Sequence, residues 1–151
     1  MQTTWDGLPV AREPPYACCV VVWRERDGRR EFLLLHRLAP GGMGYEGDWA
    51  WTPPAGARQP GERAASAATR ELKEETGLAL PLKVANVRPS SEDVAVFVAH
   101  APPESGIVLD AEHDRFVWLP LEEALPKCLP GVVASGLADA AAWIDAHGAA
   151  N

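Results

Sequence analysis

Hydrophobic and polar positions along the chain predict a mixture of strands and helices. Residues 16–23 form an apolar run rich in valine, which is typical of a buried strand. Asp27 and Gly28 then provide a turn signal, and residues 31–37 predict a second strand. Further strands are expected at residues 49–51, 82–88, 93–99, 107–109 and 116–119, with a turn at residues 89–91. Helices are expected at residues 62–76, 121–127 and 132–147. Strands mixed with a few helices indicate an α/β or α+β sandwich.

The clearest helix covers residues 62–76. Ala65, Ala68 and Leu72 recur on one stripe at helical spacing, so this stripe is expected to face the core. Gly77 follows at the position where helices commonly end in a left-handed cap. Residues 39–48 are rich in glycine instead, which predicts a loop.

Three carboxylates crowd one face of this helix. Glu71, Glu74 and Glu75 are spaced i, i+3 and i+4, which brings their side chains together. Like-charge pairs at this spacing destabilise a helix by about 0.2–0.5 kcal/mol each, and the C-terminal end of a helix is already negative. A bound cation would relieve the repulsion, and Mg²⁺ is typically held by a few carboxylates together with substrate phosphates. The alternative for a bare glutamate triplet is an ordinary solvated helix face.

The residues around the triplet favour a ligand site over that alternative. Gly56 and Gly61 bracket a loop whose backbone can approach a ligand closely. Glu62 is too far along the chain from Arg70 for a pair on one helix face, so an ion pair between them requires the loop to fold back. Arg70 precedes Glu71 directly and is suited to orient its carboxylate.

Composition and charge restrict the class of partner. The chain has 151 residues, 47% of them hydrophobic, which suits one globular domain over residues 16–151 behind an N-terminal arm at residues 1–15. Fourteen Lys plus Arg against 21 Asp plus Glu give a net charge of −7, which argues against nucleic acid duplexes but permits a small polyanion beside a local cation. Three cysteines offer no disulfide framework, and no apolar run approaches the about 20 residues of a membrane helix. We therefore expect a cytoplasmic protein without membrane contact, as a monomer or homodimer.

Residues 56–78 resemble a complete Nudix box. They contain Gly56, five residues, Glu62, seven residues, and then the run RELKEETGL at residues 70–78. So many specified positions at fixed spacing are far more specific than a lone glycine motif. The resemblance covers most of the chain and implies an α/β fold, the Nudix-type α/β/α sandwich around a mixed β-sheet. It also implies hydrolysis of a nucleoside diphosphate linked to another group, with Mg²⁺ or Mn²⁺ as the metal.

The resemblance also assigns roles to individual residues. The implied metal ligands are Glu71, Glu74, Glu75 and Glu112, the implied catalytic residues are Glu74, Glu75 and Glu112, and the implied structural supports are Gly56, Glu62, Arg70 and Gly77. Glu112 is included because family members often use a glutamate before the strand that carries Trp118 as a ligand or base. Asp110 and Asp114 are the alternatives for this further acid, and a polar surface loop is the alternative for the whole segment.

The sequence indicates the substrate less clearly than it indicates the family. Residues 32–35, 51–54 and 112–124 look most like diadenosine tetraphosphate hydrolases. The chain departs from those enzymes at Ala55, where a lysine is usual, and at Phe116, where a tyrosine is usual. Residues 112–124 also resemble pteridine or nucleoside triphosphate pyrophosphatases.

Three residues are candidates for contacting a nucleotide substrate. Arg37 could meet a phosphate from the end of its strand or remain a surface cation, and Phe116 could stack on a base. Trp51 could offer an aromatic face to a base or pack in the core. The alternative to hydrolysis is a nucleotide-binding sensor domain of Nudix fold, which the intact glutamate set disfavours because a binder does not need every ligand.

Overall fold

A computed structural model of the chain describes residues 9–39, 41–85 and 93–147. Its strands are β1 (Ala17–Arg26), β2 (Arg29–Arg37), β3 (Trp51–Thr52), β4 (Ala55–Ala57), β5 (Lys83–Val84), β6 (Val94–His100) and β7 (His113–Leu119). Its helices are α1 (Ala64–Thr76), α2 (Leu121–Ala124) and α3 (Gly131–His147), with one 3₁₀ turn at Leu125–Lys127. Most elements therefore fall where the hydrophobic pattern predicts them.

The strands form one mixed sheet. Its main order is β3-β2-β1-β6-β5, with β4 paired to β1 and β7 paired to β2. β1 and β6 are parallel, while the other pairs are antiparallel. Asp27 and Gly28 both have positive φ, 53° and 78°, as a tight hairpin turn between β1 and β2 requires.

Alternate residues of the strands build two separate cores, one on each face of the sheet. On the first face, Leu33 and Leu35 of β2 pack with Ala68 and Leu72 of α1. On the second face, the side chains of Phe32, Leu34, Leu137 and Ile144 bring β2 and α3 together. A helix thus covers each face, which confirms the expected α/β/α sandwich around a mixed sheet.

Several parts of the prediction differ from the structure. β3 comprises Trp51–Thr52, where a strand was expected at residues 49–51, and β4 was not expected. The strand expected at residues 107–109 is wrong, because the backbone N–H of Val108 donates to the carbonyl of Thr76 at 2.9 Å and not to a neighbouring strand. Ile107 and Leu109 nevertheless pack against the core under α1. Of the strand expected at residues 82–88, only β5 forms, while residues 86–88 and the turn at 89–91 lie outside the described residues.

The described part of the N-terminal segment is held against the sheet. The buried Arg58 donates to the carbonyls of Glu13 and Pro15, both at 2.7 Å, and its own carbonyl accepts from Ala11. Residues 1–8 lie outside the described residues. The division of the chain at residue 15 stays a prediction.

Two further expectations concern cysteines and the membrane. All three cysteines, Cys18, Cys19 and Cys128, are free thiols. Burial raises the pKa of each, to about 11, 12 and 11 respectively, so these thiols are poor nucleophiles.

None of the helices in the described ranges combines the length and apolar character needed to cross a bilayer.

Candidate active site

Helix α1 directs its three glutamates to different surroundings. The side chain of Glu71 is 14% exposed and Glu75 is 3% exposed, whereas the side chain of Glu74 is 55% exposed. Glu75 accepts a hydrogen bond from the backbone N–H of Ala55 in β4, at 3.1 Å. The three glutamates do not share one environment as expected: Glu71 and Glu75 form a buried pair against β4, and Glu74 lies near solvent.

Gly56 makes room for the buried pair. A Cβ built on Gly56 would lie 2.2 Å from Cδ of Glu71 and 2.3 Å from its Oε2. Ordinary carbon contacts are about 3.5–4.0 Å, so no side chain fits there while Glu71 keeps its place. Gly56 is therefore required for the close approach of the Glu71 carboxylate. The sequence predicted a close approach to the backbone of this loop, but not that Glu71 would make it.

Arg70 ties the loop before α1 to the acidic face. Its Nε and Nη2 donate to the two carboxylate oxygens of Glu62, each at 2.9 Å, so the pair is bidentate. Its Nη1 donates to Glu71 at 2.8 Å, and its Nη2 also donates to the carbonyl of Ala57 at 3.1 Å. The loop thus folds back as an ion pair between Glu62 and Arg70 requires, and the hydrogen bond from Arg70 lowers the pKa of Glu62.

The buried carboxyl pair is electrostatically unfavourable without a cation. Burial, followed by the hydrogen bond and charge of Glu71, raises the pKa of Glu75 to about 10. Burial likewise raises the pKa of Glu71, although the bond to Glu75 and the cation of Arg70 oppose the shift. Both shifts favour the protonated form of the pair, and a divalent cation that binds there would compete with the proton.

The chemistry of these carboxylates fits a hard divalent cation. The side chains of the three glutamates are not grouped around a common point in this structure. Carboxylate oxygens are the ligands that Mg²⁺ and Mn²⁺ prefer. Across residues 9–39, 41–85 and 93–147, no three His, Cys, Asp or Glu side chains are already grouped as a metal site. Glu74 lies 3.5 Å from Nη1 of Arg70, the same nitrogen that donates to Glu71, so the exposed and the buried carboxylate meet at one guanidinium.

The loop before β7 brings a different acid near α1 from the one favoured by the resemblance. The negative charge of Asp110 contributes to the raised pKa of Glu75. Asp110 also accepts a hydrogen bond from Nδ1 of the buried His113, at 2.8 Å. Glu112 is exposed, and its backbone carbonyl accepts from Leu38 at 2.9 Å. Its role as a further ligand or base stays a prediction, and Asp110 is the alternative acid whose charge acts on Glu75.

The substrate-contact candidates lie on opposite faces of the sheet. Phe116 pairs with Leu35 across β2 and β7 and is 40% exposed on the face that carries α1. Arg37 follows His36 along β2, so strand alternation directs it to that face as well. Trp51 is 5% exposed in the core on the α3 face, and stacking on a base would require its neighbours to move.

The cations of Arg115 and Lys127 contact the ring of Trp51. The Arg115 guanidinium carbon lies 5.3 Å and Nζ of Lys127 lies 5.0 Å from the ring centroid. Core packing, one of the two interpretations of Trp51, is what the structure shows. Trp49, two residues earlier, is 45% exposed instead.

Sequence reasoning missed a polar cluster beneath the substrate-contact candidates. Its members are His36, Glu46, Asp114 and Arg115. One signal was present, because His36 follows Phe32 and Leu34 with the period-two spacing that marks inward positions of a strand. A fully buried histidine at such a position needs hydrogen-bond partners, which come from distant residues.

Comparison with known proteins identifies similar chains. The family model for the NUDIX domain matches residues 13–142. An octanoyltransferase from Myxococcus xanthus is 32% identical over 83% of this chain. The match covers only 36% of the length of that transferase. An asymmetrical bis(5'-nucleosyl)-tetraphosphatase from Caenorhabditis elegans is 29% identical, over 72% of this chain and 81% of the relative.

A solved structure matches over a similar range. The binary complex of a Caenorhabditis elegans Ap4A hydrolase superposes with a TM-score of 0.69 at 27% identity. The match covers 86% of this chain and 97% of that one. The same arrangement of sheet and helices is therefore present in a protein described as an Ap4A hydrolase.

Proposed function

The chain belongs to the NUDIX domain family, and on that premise we propose that it hydrolyses a pyrophosphate bond in a nucleoside diphosphate-linked compound. The proposed substrate is a dinucleoside polyphosphate or a nucleoside triphosphate, and the proposed cofactor is Mg²⁺ or Mn²⁺. The observation that carries this proposal is the buried pair of Glu71 and Glu75. Arg70 orients Glu71 against Gly56, and the backbone N–H of Ala55 donates to Glu75. A purely structural role leaves the burial of two adjacent carboxyls unexplained.

The residues of the site match the requirements of the reaction. Hydrolysis forms a bond between a water oxygen and phosphorus, breaks the bridging P–O bond, and requires an acceptor for the proton of the water. A divalent cation, when bound, neutralises the negative charge that develops on the phosphate oxygens. We propose Glu71, Glu74, Glu75 and Glu112 as its ligands, and Glu74, Glu75 and Glu112 as the acids that hold or accept the proton.

Arg70 has a positioning role in this proposal. Its bidentate pair with Glu62 fixes the guanidinium, which in turn holds the carboxylate of Glu71. Gly77 ends α1 in the left-handed conformation, with φ of 77° and its N–H donating to Lys73. These supports place the acids on a rigid helix and strand, which keeps reacting groups within the tolerance that catalysis requires.

Similar proteins support a dinucleoside polyphosphate as the substrate. Two residues of this chain differ from those usual in such enzymes and weaken that support. The tetraphosphatase and hydrolase relatives cover most of this chain. Ala55 and Phe116 nevertheless replace the usual lysine and tyrosine. Phe116 can still stack on a base because it is half-exposed, but it offers no hydroxyl.

A substrate panel tests the proposal. The purified chain is incubated with Mg²⁺ or Mn²⁺ and with dinucleoside polyphosphates, nucleoside triphosphates, nucleotide sugars and ADP-ribose, and the products are identified. We expect turnover of a dinucleoside polyphosphate or nucleoside triphosphate. Loss of turnover in Glu75→Gln has a matched control in Glu104→Gln, which changes an exposed turn residue and should retain turnover. Tight nucleotide binding without turnover of any compound would overturn hydrolysis and favour the sensor alternative.

A further inference from the structure

His36 occupies an unusual position in β2. It is fully buried, and both ring nitrogens have a hydrogen-bond partner at 2.6 Å. Nε2 faces the backbone carbonyl of Tyr45, which can only accept, so Nε2 carries a proton. Nδ1 faces Oδ1 of Asp114, whose other oxygen accepts from Arg115 at 2.6 Å. Both ring nitrogens of His36 are therefore held by oxygen atoms on opposite sides of the ring.

The bond to Asp114 depends on an irregularity in β7. His36 pairs with Arg115 and Arg37 pairs with His113, so Asp114 is the additional residue of a β-bulge. A bulge changes the direction in which a side chain leaves the strand. Here it allows the carboxylate of Asp114 to reach His36, and the contact holds the bulge in place.

Arg115 extends this contact to the glycine-rich loop at residues 41–48. It donates to the carbonyl of Met43 at 2.9 Å and to Oε2 of Glu46 at 2.9 Å. Glu46 accepts in addition from Nε1 of Trp51 at 2.8 Å. We call His36, Asp114, Arg115 and Glu46 the loop clamp, because together they attach this loop to β2, β3 and β7.

The loop clamp lies directly behind the candidate substrate contacts. His36 and Arg115 pair across the two strands and point to the α3 face. Their chain neighbours, Arg37 and Phe116, leave the strands toward the α1 face, because successive side chains alternate. The hydrogen bonds of the loop clamp therefore fix the backbone from which the candidate contacts project, without touching the acids of α1.

We propose that His36 is a positioning residue for nucleotide binding, which acts through the loop clamp on Arg37 and Phe116. The inference rests on the proposed function, since it assigns the nucleotide to this edge of the sheet. It separates two parts of the site: the acids of α1 determine the rate of the chemical step, and the loop clamp determines affinity for the nucleotide.

Steady-state kinetics with diadenosine tetraphosphate and Mg²⁺ test this separation. Loss of binding that is equal in the ground and transition states raises KM and leaves kcat unchanged. We expect His36→Gln, whose single amide cannot contact Tyr45 and Asp114 from opposite sides as the ring does, to raise KM about tenfold with kcat within about twofold. Arg115→Lys keeps the charge but cannot span Asp114, Met43 and Glu46, so it should raise KM in the same way.

Matched measurements exclude a general loss of structure. His100→Gln is the control, because His100 stacks on Trp23 at 3.9 Å, away from the loop clamp. Mn²⁺ affinity, measured without nucleotide, should be unchanged in all three variants. If His36→Gln does not fold, Arg115→Lys decides, because Arg115 is partly exposed and its replacement leaves the core intact. An unchanged KM in a folded variant, or a fall in kcat at constant KM, overturns the proposal.

A binding titration distinguishes failure of this inference from failure of the proposed function. A diadenosine tetraphosphate analogue with methylene bridges binds without being cleaved, so its Kd requires no turnover. If the wild-type chain binds the analogue but cleaves no substrate, hydrolysis is overturned, and the ratio of Kd values between His36→Gln and wild type still decides the role of His36. If the wild-type chain binds neither this analogue nor a methylene-bridged nucleoside triphosphate, both proposals are overturned.

Discussion

Replacing Gly56 by alanine tests the geometry of the buried carboxyl pair. Gly56 is not among the glycines with positive φ, so the backbone accepts alanine without strain. The new methyl group would lie 2.2 Å from Cδ of Glu71, which must move by more than an ångström. Because the side chain is flexible, it can move, but it then loses the 2.8 Å bond from Arg70. The substitution therefore displaces one ligand candidate without removing a carboxylate.

The expected magnitudes follow from that single bond. A hydrogen bond to a charged group contributes about 1.5–3 kcal/mol, so Gly56→Ala should lower the free energy of unfolding by about 2 kcal/mol. A domain of this size loses about 2–4 °C in Tm per kcal/mol, so the midpoint should fall by about 4–8 °C. The variant stays folded, since domain stabilities are about 5–15 kcal/mol. Misplacement of Glu71 should reduce turnover by about 10²-fold, the scale of losing one preorganised charge contact.

Thermal unfolding and Mg²⁺-dependent turnover measure the two effects. Gly106→Ala is the matched control, because a Cβ there meets nothing within 4 Å and Gly106 is not among the positive-φ glycines. We expect the control to retain the Tm and turnover of the wild-type chain. A Gly56→Ala variant with wild-type Tm and turnover would refute the close approach of Glu71 to β4.

The remaining predictions concern the acids and their protons. Glu74→Gln or Glu75→Gln should reduce turnover at saturating Mg²⁺ at least about 10²-fold, and an unchanged rate of phosphate-bond cleavage would exclude that residue from the metal site. Glu112→Gln should also be impaired; wild-type kinetics there, together with loss in Asp110→Asn, would transfer the role of further acid to Asp110. Because burial and Glu71 raise the pKa of Glu75 from 4.5 to about 10, its contribution to stability is complete below pH 4.5 and is lost as pH rises through that window. Urea unfolding at pH 5, 7 and 9 should show this loss in EDTA and a flatter profile in Mg²⁺, whereas metal-free stability that increases with pH would contradict it.

The fold could be predicted largely because its elements have clear periodicity. The valine-rich run of β1 agrees with the structure. Of the small-residue stripe of α1, Ala68 and Leu72 are buried as expected, whereas Ala65 is exposed and its neighbour Ala67 is buried instead. The segment at residues 107–109 has the composition of a strand, but its backbone bonds to the end of α1 instead. Composition does not reveal which hydrogen-bond partner a short apolar segment will meet, since the choice depends on tertiary packing.

The site was predictable where its residues are close along the chain. The spacing of the glutamates and the position of Arg70 led to the ion pair with Glu62, which the structure contains. The division of the glutamates into a buried pair and an exposed residue was not predictable, because β4 determines it and β4 was not expected. The loop clamp joins residues as far as 78 positions apart in the chain, and no local pattern reports such contacts.

The most direct test of the central claim is release of nucleoside monophosphate by the wild-type chain, with Mg²⁺ and with EDTA. Both proposed substrate classes, a dinucleoside tetraphosphate cleaved asymmetrically and a nucleoside triphosphate cleaved to pyrophosphate, yield this product. The account predicts release from at least one of them in Mg²⁺ and none in EDTA. Equal release in EDTA, or none from either substrate at any Mg²⁺ or Mn²⁺ concentration, would contradict a metal-dependent pyrophosphohydrolase.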